Sequence, residues 1–369
     1  MTDCFHADSE DRLPLSGQNT DAGRARRQFL LGLACLTSSL GTVRLASADT
    51  SPGTGSTAPE APAPGAKWPQ KAIRLIVPTA PGTLVDRVGR SLADPLGRLL
   101  GQSVIAENRP GNHGNLAATL AGEAPPDGYT LMIATESMPG IHVPLYGRNR
   151  FNPARKLMAI NQIAEAPLLI LTSSQSRFRS LTPMVRQARR EQRLLRYGCS
   201  GQGSPSHLAM AWLQQDSNVP LRYQPHRNLP AMLAALQAGE LDLACLPANL
   251  ARPALAEGEL RALGVSTTTR TDYLPKVMPL GQQSVVAKDY QFPLWLGLMA
   301  PAHTPAPIIQ RINDALTQAS RYPTVITLLD RAGYVRHHLD TPDTFQRRFV
   351  AELGRNQGII EKAGIKSKQ

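Results

Sequence analysis

The sequence is poor in aromatic residues, which make up 5% of it, and in cysteine, of which there are four in 369 residues. No two Cys stand in a CxxC spacing, which excludes a zinc ribbon and a disulfide-dense scaffold. There is no Walker A pattern and no H-E-x-x-H, so two common routes to phosphate and zinc chemistry are missing. No apolar run reaches the ~20 residues that a bilayer-spanning helix needs. What is present is a globular composition, 42% hydrophobic and 18% charged, on a chain long enough for two domains of ordinary size. Pro is abundant at 31, which predicts many short elements joined by defined turns. Lys+Arg (40) outnumber Asp+Glu (28), for a formal charge of +12.

Arg26-Arg27-Gln28-Phe29-Leu30 opens an apolar stretch that runs to Leu40, and Ala46-Ser47-Ala48 follows. A basic segment, a short apolar core and a small-x-small cut site describe an export signal over residues 1–48. The twin Arg favours the Tat route, which carries folded proteins. A buried core helix is the competing reading, and a lipoprotein anchor at Cys35 lacks the expected Leu three residues before it. Residues 49–66 are rich in Pro, Gly, Ser, Thr and Ala and read as a flexible linker. The structured part is expected to begin near Lys67, in a periplasmic protein cut near Ala48. Export removes Cys4 and Cys35. Cys199 and Cys245 remain, either as two small buried residues or as a bridge formed in an oxidising periplasm. Residues 1–48 hold Arg12, Arg24, Arg26, Arg27 and Arg44 against Asp3, Asp8, Glu10, Asp11 and Asp21, so 5 − 5 = 0 and the mature part keeps the +12. Seven Arg between Arg177 and Arg196 face one acid, Glu191. The two readings are a solvated helix face and a nucleic-acid patch. Export and the lack of interleaved aromatics argue against nucleic acid, while the overall field still attracts anions.

The mature chain alternates short apolar runs with amphipathic helices. Ile73 to Val77 reads as a strand and Pro78 to Val85 as a turn. From Asp86, apolar Val88, Leu92, Leu96 and Leu99 follow helical spacing, with Gly101 as cap and Pro95 predicting a kink or break. Ser103 to Ala106 and Tyr129 to Thr135 read as strands, as does Leu194 to Ser200. Ser204 caps a following helix with Pro205 at its first position. Thr304-Pro305 and Thr341-Pro342 repeat that start signal. This alternation predicts an α/β fold with a parallel sheet and helices on both faces. Ligands in such sheets sit at the carboxyl ends of strands, where helix N-termini present free N–H groups. Four turns have this form: Thr79 to Thr83, Thr135 to Ser137, Ser200 to Ser206, and His226 to Pro230 before a helix over Met232 to Ala238.

The order of motifs is more specific than any one of them. Trp68-Pro69-Gln70-Lys71-Ala72-Ile73-Arg74-Leu75-Ile76-Val77-Pro78 leads, followed by Ala80-Pro81-Gly82 and Asp86. Glu107-Asn108-Arg109-Pro110-Gly111 with Gly114-Asn115 comes next, then Pro126-Asp127-Gly128-Tyr129-Thr130-Leu131. Gly201-Gln202-Gly203-Ser204 with Ser206-His207-Leu208, Leu260-Arg261-Ala262-Leu263, Trp295 with Gly297-Leu298, and Ala300-Pro301 with Thr304-Pro305 complete the series. From about Trp68 to Lys366 the chain resembles the Bug-type extracytoplasmic solute receptors of tripartite tricarboxylate transporters. The resemblance implies a two-lobed periplasmic-binding-protein fold (type II, Venus-flytrap) crossed twice, near Glu165–Pro167 and near Phe292–Leu294. Lobe 1 would hold residues 67–165 and 294–369, and lobe 2 residues 166–293. It implies a monomer that needs no cofactor or metal, closes on a small organic acid and delivers it to membrane permease subunits. The expected ligand contacts are Thr79, Ala80, Gly82 and Thr83, then Thr135 and Ser137, then Ser200, Gly201, Ser204 and Ser206, with His226 and Arg227 from the fourth turn. Asp86 is expected to cap the first helix rather than touch ligand.

Several positions depart from that family's pattern. Thr83 stands where a second Gly is usual and is followed by Leu84 and Val85, and a Cβ there narrows the approach to the backbone. Glu136 stands where small or neutral residues are usual, and it repels an anionic ligand unless protonated or paired. Pro225-His226-Arg227-Asn228 replaces Pro-Tyr-Lys-Gly: Arg227 could pair bidentately with a carboxylate and His226 could make binding pH-dependent. Leu246 replaces an acid. These changes bear on which carboxylate is bound, not on the fold. Two other functions compete. The same pocket would serve a receptor that reports to a membrane kinase. A hydrolase would use Cys199 with His207, but Gly198-Cys199-Ser200-Gly201-Gln202 is not a nucleophile elbow, its fifth residue being Gln. His337-His338 are adjacent, so they point apart, and no third metal ligand lies nearby.

Overall fold

The computed structural model describes residues 68–111, 114–137, 151–271, 274–336 and 341–365. The export signal, the linker and His337-His338 lie outside them. In chain order the first part contains β1 (Ile73–Val77), α1 (Leu84–Leu100), β2 (Val104–Asn108), α2 (Asn115–Gly122), β3 (Thr130–Thr135), α3 (Pro153–Lys156) and β4 (Leu157–Ala166). Next come β5 (Leu168–Ser173), α4 (Leu181–Arg190), β6 (Leu195–Cys199), α5 (Pro205–Ser217), β7 (Leu221–Tyr223), α6 (Leu229–Gln237), β8 (Leu243–Pro247), α7 (Ala248–Ala256) and β9 (Leu260–Val265). The last part contains β10 (Leu294–Pro301), α8 (Ala306–Ala319), α9 (Pro323–Arg331), β11 (Val335–Arg336) and α10 (Pro342–Ala363).

Strand residues alternate between faces. In β1, Ile73 and Leu75 enter a core shared with Val88, Leu92 and Leu96 of α1 and Ile312 of α8, while Ile76 enters a second core with Phe345 and Phe349 of α10. Covering both faces is the condition under which parallel strands form, and β1 pairs in parallel with β2 and β3. The sheet order is β11-β4-β10-β3-β1-β2. A second sheet, β7-β6-β8-β5-β9, is built the same way. Cys199 and Cys245 sit on its α5 side, and Leu169, Leu171 and Leu246 sit on its α6 and α7 side. The chain is thus α/β with two sheets, each covered by helices.

Neither sheet is parallel throughout. β10 runs antiparallel to β3 and β4, and β5 runs antiparallel to β8 and β9. The physical reason is connectivity: a chain that leaves one sheet along β4 and comes back along β10 must run opposite ways in the two strands. The outward passage is a single residue. β4 ends at Ala166, Pro167 has no N–H to extend a ladder, and β5 starts at Leu168. Buried Ser266 ties both passages together. Its Oγ accepts the Leu168 N–H (2.9 Å) and donates to the Phe292 carbonyl (2.9 Å). Its N–H donates to Leu168 O (2.9 Å) and its carbonyl accepts from Phe292 N–H (3.0 Å). α10 also spans the two sheets: Phe345 and Phe349 pack against the first, Ile359 and Ile360 in the core of the second.

Local expectations are mostly met. Gly101 caps α1 in the left-handed conformation, with its N–H on Gly97 O. Ser204 and Thr341 each accept a hydrogen bond as N-caps of α5 and α10. Three readings need correction. Of the kink or break expected at Pro95, the break does not occur: α1 runs on to Leu100. Thr304 does not cap α8. Pro305 holds that place, and the Thr304 hydroxyl donates to Pro301 O (2.8 Å) instead. α6 starts at Leu229, because Asn228 caps it by accepting the Ala231 N–H (2.9 Å).

Gly297 lies in β10 where a Cβ would collide with the Phe345 ring, itself fully buried. Gly297→Ala is expected to cost about 1–3 kcal/mol in urea unfolding, the usual penalty of overpacking. Phe345→Leu should suffer less from the added methyl, so the double mutant should be more stable than the sum of the two single changes.

Candidate ligand-binding site

The loops after β1, β3 and β6 converge on one cleft of about 490 Å³. The first loop is held from within. Gly82, at φ +83°, turns its N–H onto Asp86 Oδ2 (2.8 Å). Asp86 Oδ1 accepts from Arg90 Nε (2.9 Å) and from Asn108 Nδ2 (2.7 Å), and that same amide also donates to Thr79 O (2.9 Å). Burial alone would raise the Asp86 carboxyl, but the Gly82 N–H, Asn108 and Arg90 hold it below its usual range. Thr83 caps α1 by accepting the Asp86 N–H (3.3 Å), and its hydroxyl lies 2.6 Å from that of Thr79. Asp86 therefore braces the loop and Thr83 is the helix cap.

The second loop follows β3. Glu136 Oε2 accepts the Trp295 backbone N–H (3.0 Å) and Oε1 accepts the Ser137 hydroxyl (2.9 Å). Burial, with Glu352 adding to it, pushes this carboxyl up from 4.5 to about 7 against the pull of those hydrogen bonds. The third loop leads into α5. Its glycines, Gly201 (φ +132°) and Gly203 (φ +74°), take conformations that side chains resist. Ser204 accepts the His207 N–H (3.2 Å), and Ser200 Oγ lies 3.3 Å from Ser206 Oγ.

The cleft lining brings together Thr79, Thr135, Ser137, Ser200, Gly201 and Ser204 of the expected contacts. Ala80, Gly82 and Thr83 do not line the cleft; they are exposed, in a loop closed by internal hydrogen bonds. Ser206 is buried behind Ser200. His226 and Arg227 do not line the cleft. The His226 ring meets Gln224 O (3.1 Å) and Arg227 is exposed at the start of α6. Val85 and Glu136, read as departures, both line it, as do Gly111, Gly114, Gln202, Leu296 and Tyr334. Nothing in the sequence marked Tyr334. It packs against the cores of both sheets, a role that only the tertiary fold creates. Among the described lining residues none is Lys, Arg or His.

The hydrolase reading finds no support in this geometry. Burial pushes the Cys199 thiol up to about 11, and it donates to Gly201 O rather than to an imidazole. His207 Nδ1 already accepts the Gly203 N–H (3.0 Å), and burial lowers its pKa. A thiolate nucleophile needs the opposite environment. Cys199 and Cys245 are register partners on β6 and β8, both free and buried.

Residues 88–365 match the family described as the tripartite tricarboxylate transporter family receptor, TctC. The chain belongs to this family. It is therefore a solute-binding receptor of the tripartite tricarboxylate transporter type. It is 28% identical over 302 residues to a protein encoded in the tcbD-tcbE intergenic region of Pseudomonas sp. (strain P51), covering 82% of this chain and 89% of that one. It is 26% identical over 314 residues to BugT of Bordetella pertussis, covering 84% and 94%. Among solved structures, a TctC solute-binding protein from Polaromonas superposes with a TM-score of 0.73 at 22% identity, over 80% of this chain and 99% of that one, and shows the same two-lobed fold. MatC from Rhodopseudomonas palustris, solved with bound malate, superposes with a TM-score of 0.60 at 27% identity, over 79% and 100%. An R. palustris protein solved with adipate gives 0.63 at 28%, over 81% and 99%.

The Glu136 shift has a consequence for stability. The folded state holds this proton more tightly than the unfolded chain. The stability it contributes is full below about 4.5 and is lost as pH rises through about 7. Glu136→Gln should therefore be more stable than the parent at pH 8.5, by about 1–3 kcal/mol in urea unfolding, with the gap closing at pH 5.

Proposed function

We propose that this receptor captures a small organic carboxylate in the periplasm and hands it to the membrane permease subunits of its transporter. The observation that carries the reading is the cleft. Loops from both sheets meet there, presenting the Thr79, Ser137, Ser200 and Ser204 hydroxyls and the N-terminus of α5 to one space. Hydroxyls and the positive end of a helix suit an anionic oxygen ligand without a fixed cation. Malate in MatC and adipate in the R. palustris protein are carboxylates of suitable size. The direct contacts are Thr79, Thr135, Ser137, Ser200, Gly201 and Ser204, with Gly82 and Thr83 shaping the first loop.

Residues 67–165 and 294–369 form one lobe and 166–293 the other, hinged at Glu165–Pro167 and Phe292–Leu294, with the last turns of α10 as a third tether. Ligand contacts from both sheets would favour the closed arrangement. The cleft is complete within one chain, so a monomer suffices. Residues 1–48 act as a Tat-type signal cut near Ala48, and 49–66 as a linker.

A thermal-shift screen of mono-, di- and tricarboxylates tests the binding reading. At least one should stabilise the protein, by about 2.7 kcal/mol at a hundredfold excess over Kd. Failure of every compound would end it. Export is tested separately: replacing Arg26 and Arg27 by Lys should leave the precursor uncut in the cytoplasm, and normal export of that variant would refute the Tat assignment.

A further inference from the structure

The cleft's one described carboxyl is placed where a doubly charged ligand would meet it, and this inference rests on the receptor reading just given. One side of the cleft, the loop Ser200–Ser204 at the start of α5, offers the Ser200 and Ser204 hydroxyls and the positive end of the helix, an environment for a carboxylate. On the side contributed by the other sheet stands Glu136, whose two oxygens are fixed as acceptors by the Trp295 N–H and the Ser137 hydroxyl. Among the described residues it has no ion pair. Of the groups that face it, Tyr334 is neutral and Glu352 is a second acid. Glu352 is taken up by the Trp295 indole (2.7 Å) and by Arg348 (3.4 Å), and Arg348 is shared with Glu165 (2.7 Å).

We propose that Glu136 sets the ligand class: the receptor takes a monocarboxylate whose far end carries an N–H donor, a primary amide or amine, and rejects the dicarboxylate of the same length. An anchored acceptor with free lone pairs rewards a donor and penalises a second anion brought beside it in a water-poor site. A neutral Glu136 would lift that penalty, and burial pushes this group up to about 7. Discrimination should therefore be strongest in alkali and relax as pH falls.

Calorimetric titration of the exported protein tests this with succinate against succinamate, glutarate against glutaramate, and 4-aminobutanoate as the amine. At pH 8.5 the best nitrogen ligand should bind at least tenfold more tightly than its matched dicarboxylate. In Glu136→Gln that ratio should fall tenfold or invert, because the amide can itself donate to a carboxylate. In the unaltered protein, dicarboxylate binding should strengthen as pH is lowered from 8.5 to 7, approaching tenfold per unit, because each binding event takes up one proton. This slope needs no variant and should vanish in Glu136→Gln. Equal or tighter binding of the dicarboxylate by the unaltered protein at pH 8.5 overturns the proposal and leaves the receptor reading intact. So does a nitrogen preference with no pH slope that persists in Glu136→Gln. No binding of any carboxylate at any pH overturns both.

Discussion

One buried serine sits where the two sheets are joined. Ser266 holds the residue that follows the outward passage and the residue that precedes the return, through four hydrogen bonds that leave neither segment's polar groups unpaired. The passages are therefore neighbours rather than independent linkers. Any rotation of one sheet against the other would have to be absorbed beside Pro167, beside Phe292 and along α10, which packs into both cores. On the side of the first sheet, β3 is paired to β10, and β10 in turn to β4; the ends Leu294 of β10 and Ala166 of β4 adjoin the two passages.

The loops at the cleft show a second economy. In the first, Asp86, Asn108, Thr79 and Thr83 satisfy one another, so the loop arrives ordered and little conformational entropy remains to be lost when a ligand lands. Glu136 breaks with this comfort. A carboxyl that burial disfavours is kept within reach of the cleft, held by a backbone N–H of β10. Such a group subtracts from stability, and costs of this kind concentrate at binding sites.

Much of this was legible in the residues. β1 and the caps at Gly101, Ser204 and Thr341 follow from local chemistry that needs no distant partner. What escaped depends on partners far along the chain. Antiparallel β10 is a consequence of the chain's return, which no local pattern encodes. The Arg-rich stretch looked short of acids because its partner Asp242, which takes both Arg193 and Arg196, stands well beyond it in sequence. Thr304 and Thr341 share the same Thr-Pro signal, yet only Thr341 caps its helix. The Thr304 hydroxyl is drawn to a carbonyl three residues earlier. In the site, the hydroxyl-rich loops were visible as turns, whereas Tyr334 enters only because α9 and β11 carry it back to the cleft.

The last helix bears on how the molecule is made. Phe345 and Phe349 belong to one core and Ile359 and Ile360 to the other, so both interiors stay unfinished until this helix has been synthesised. A nascent chain paused anywhere earlier exposes apolar sheet faces, a state prone to aggregation. One helix thus completes both interiors, and losing its last two turns would leave a hole in the half whose strands were synthesised well before them.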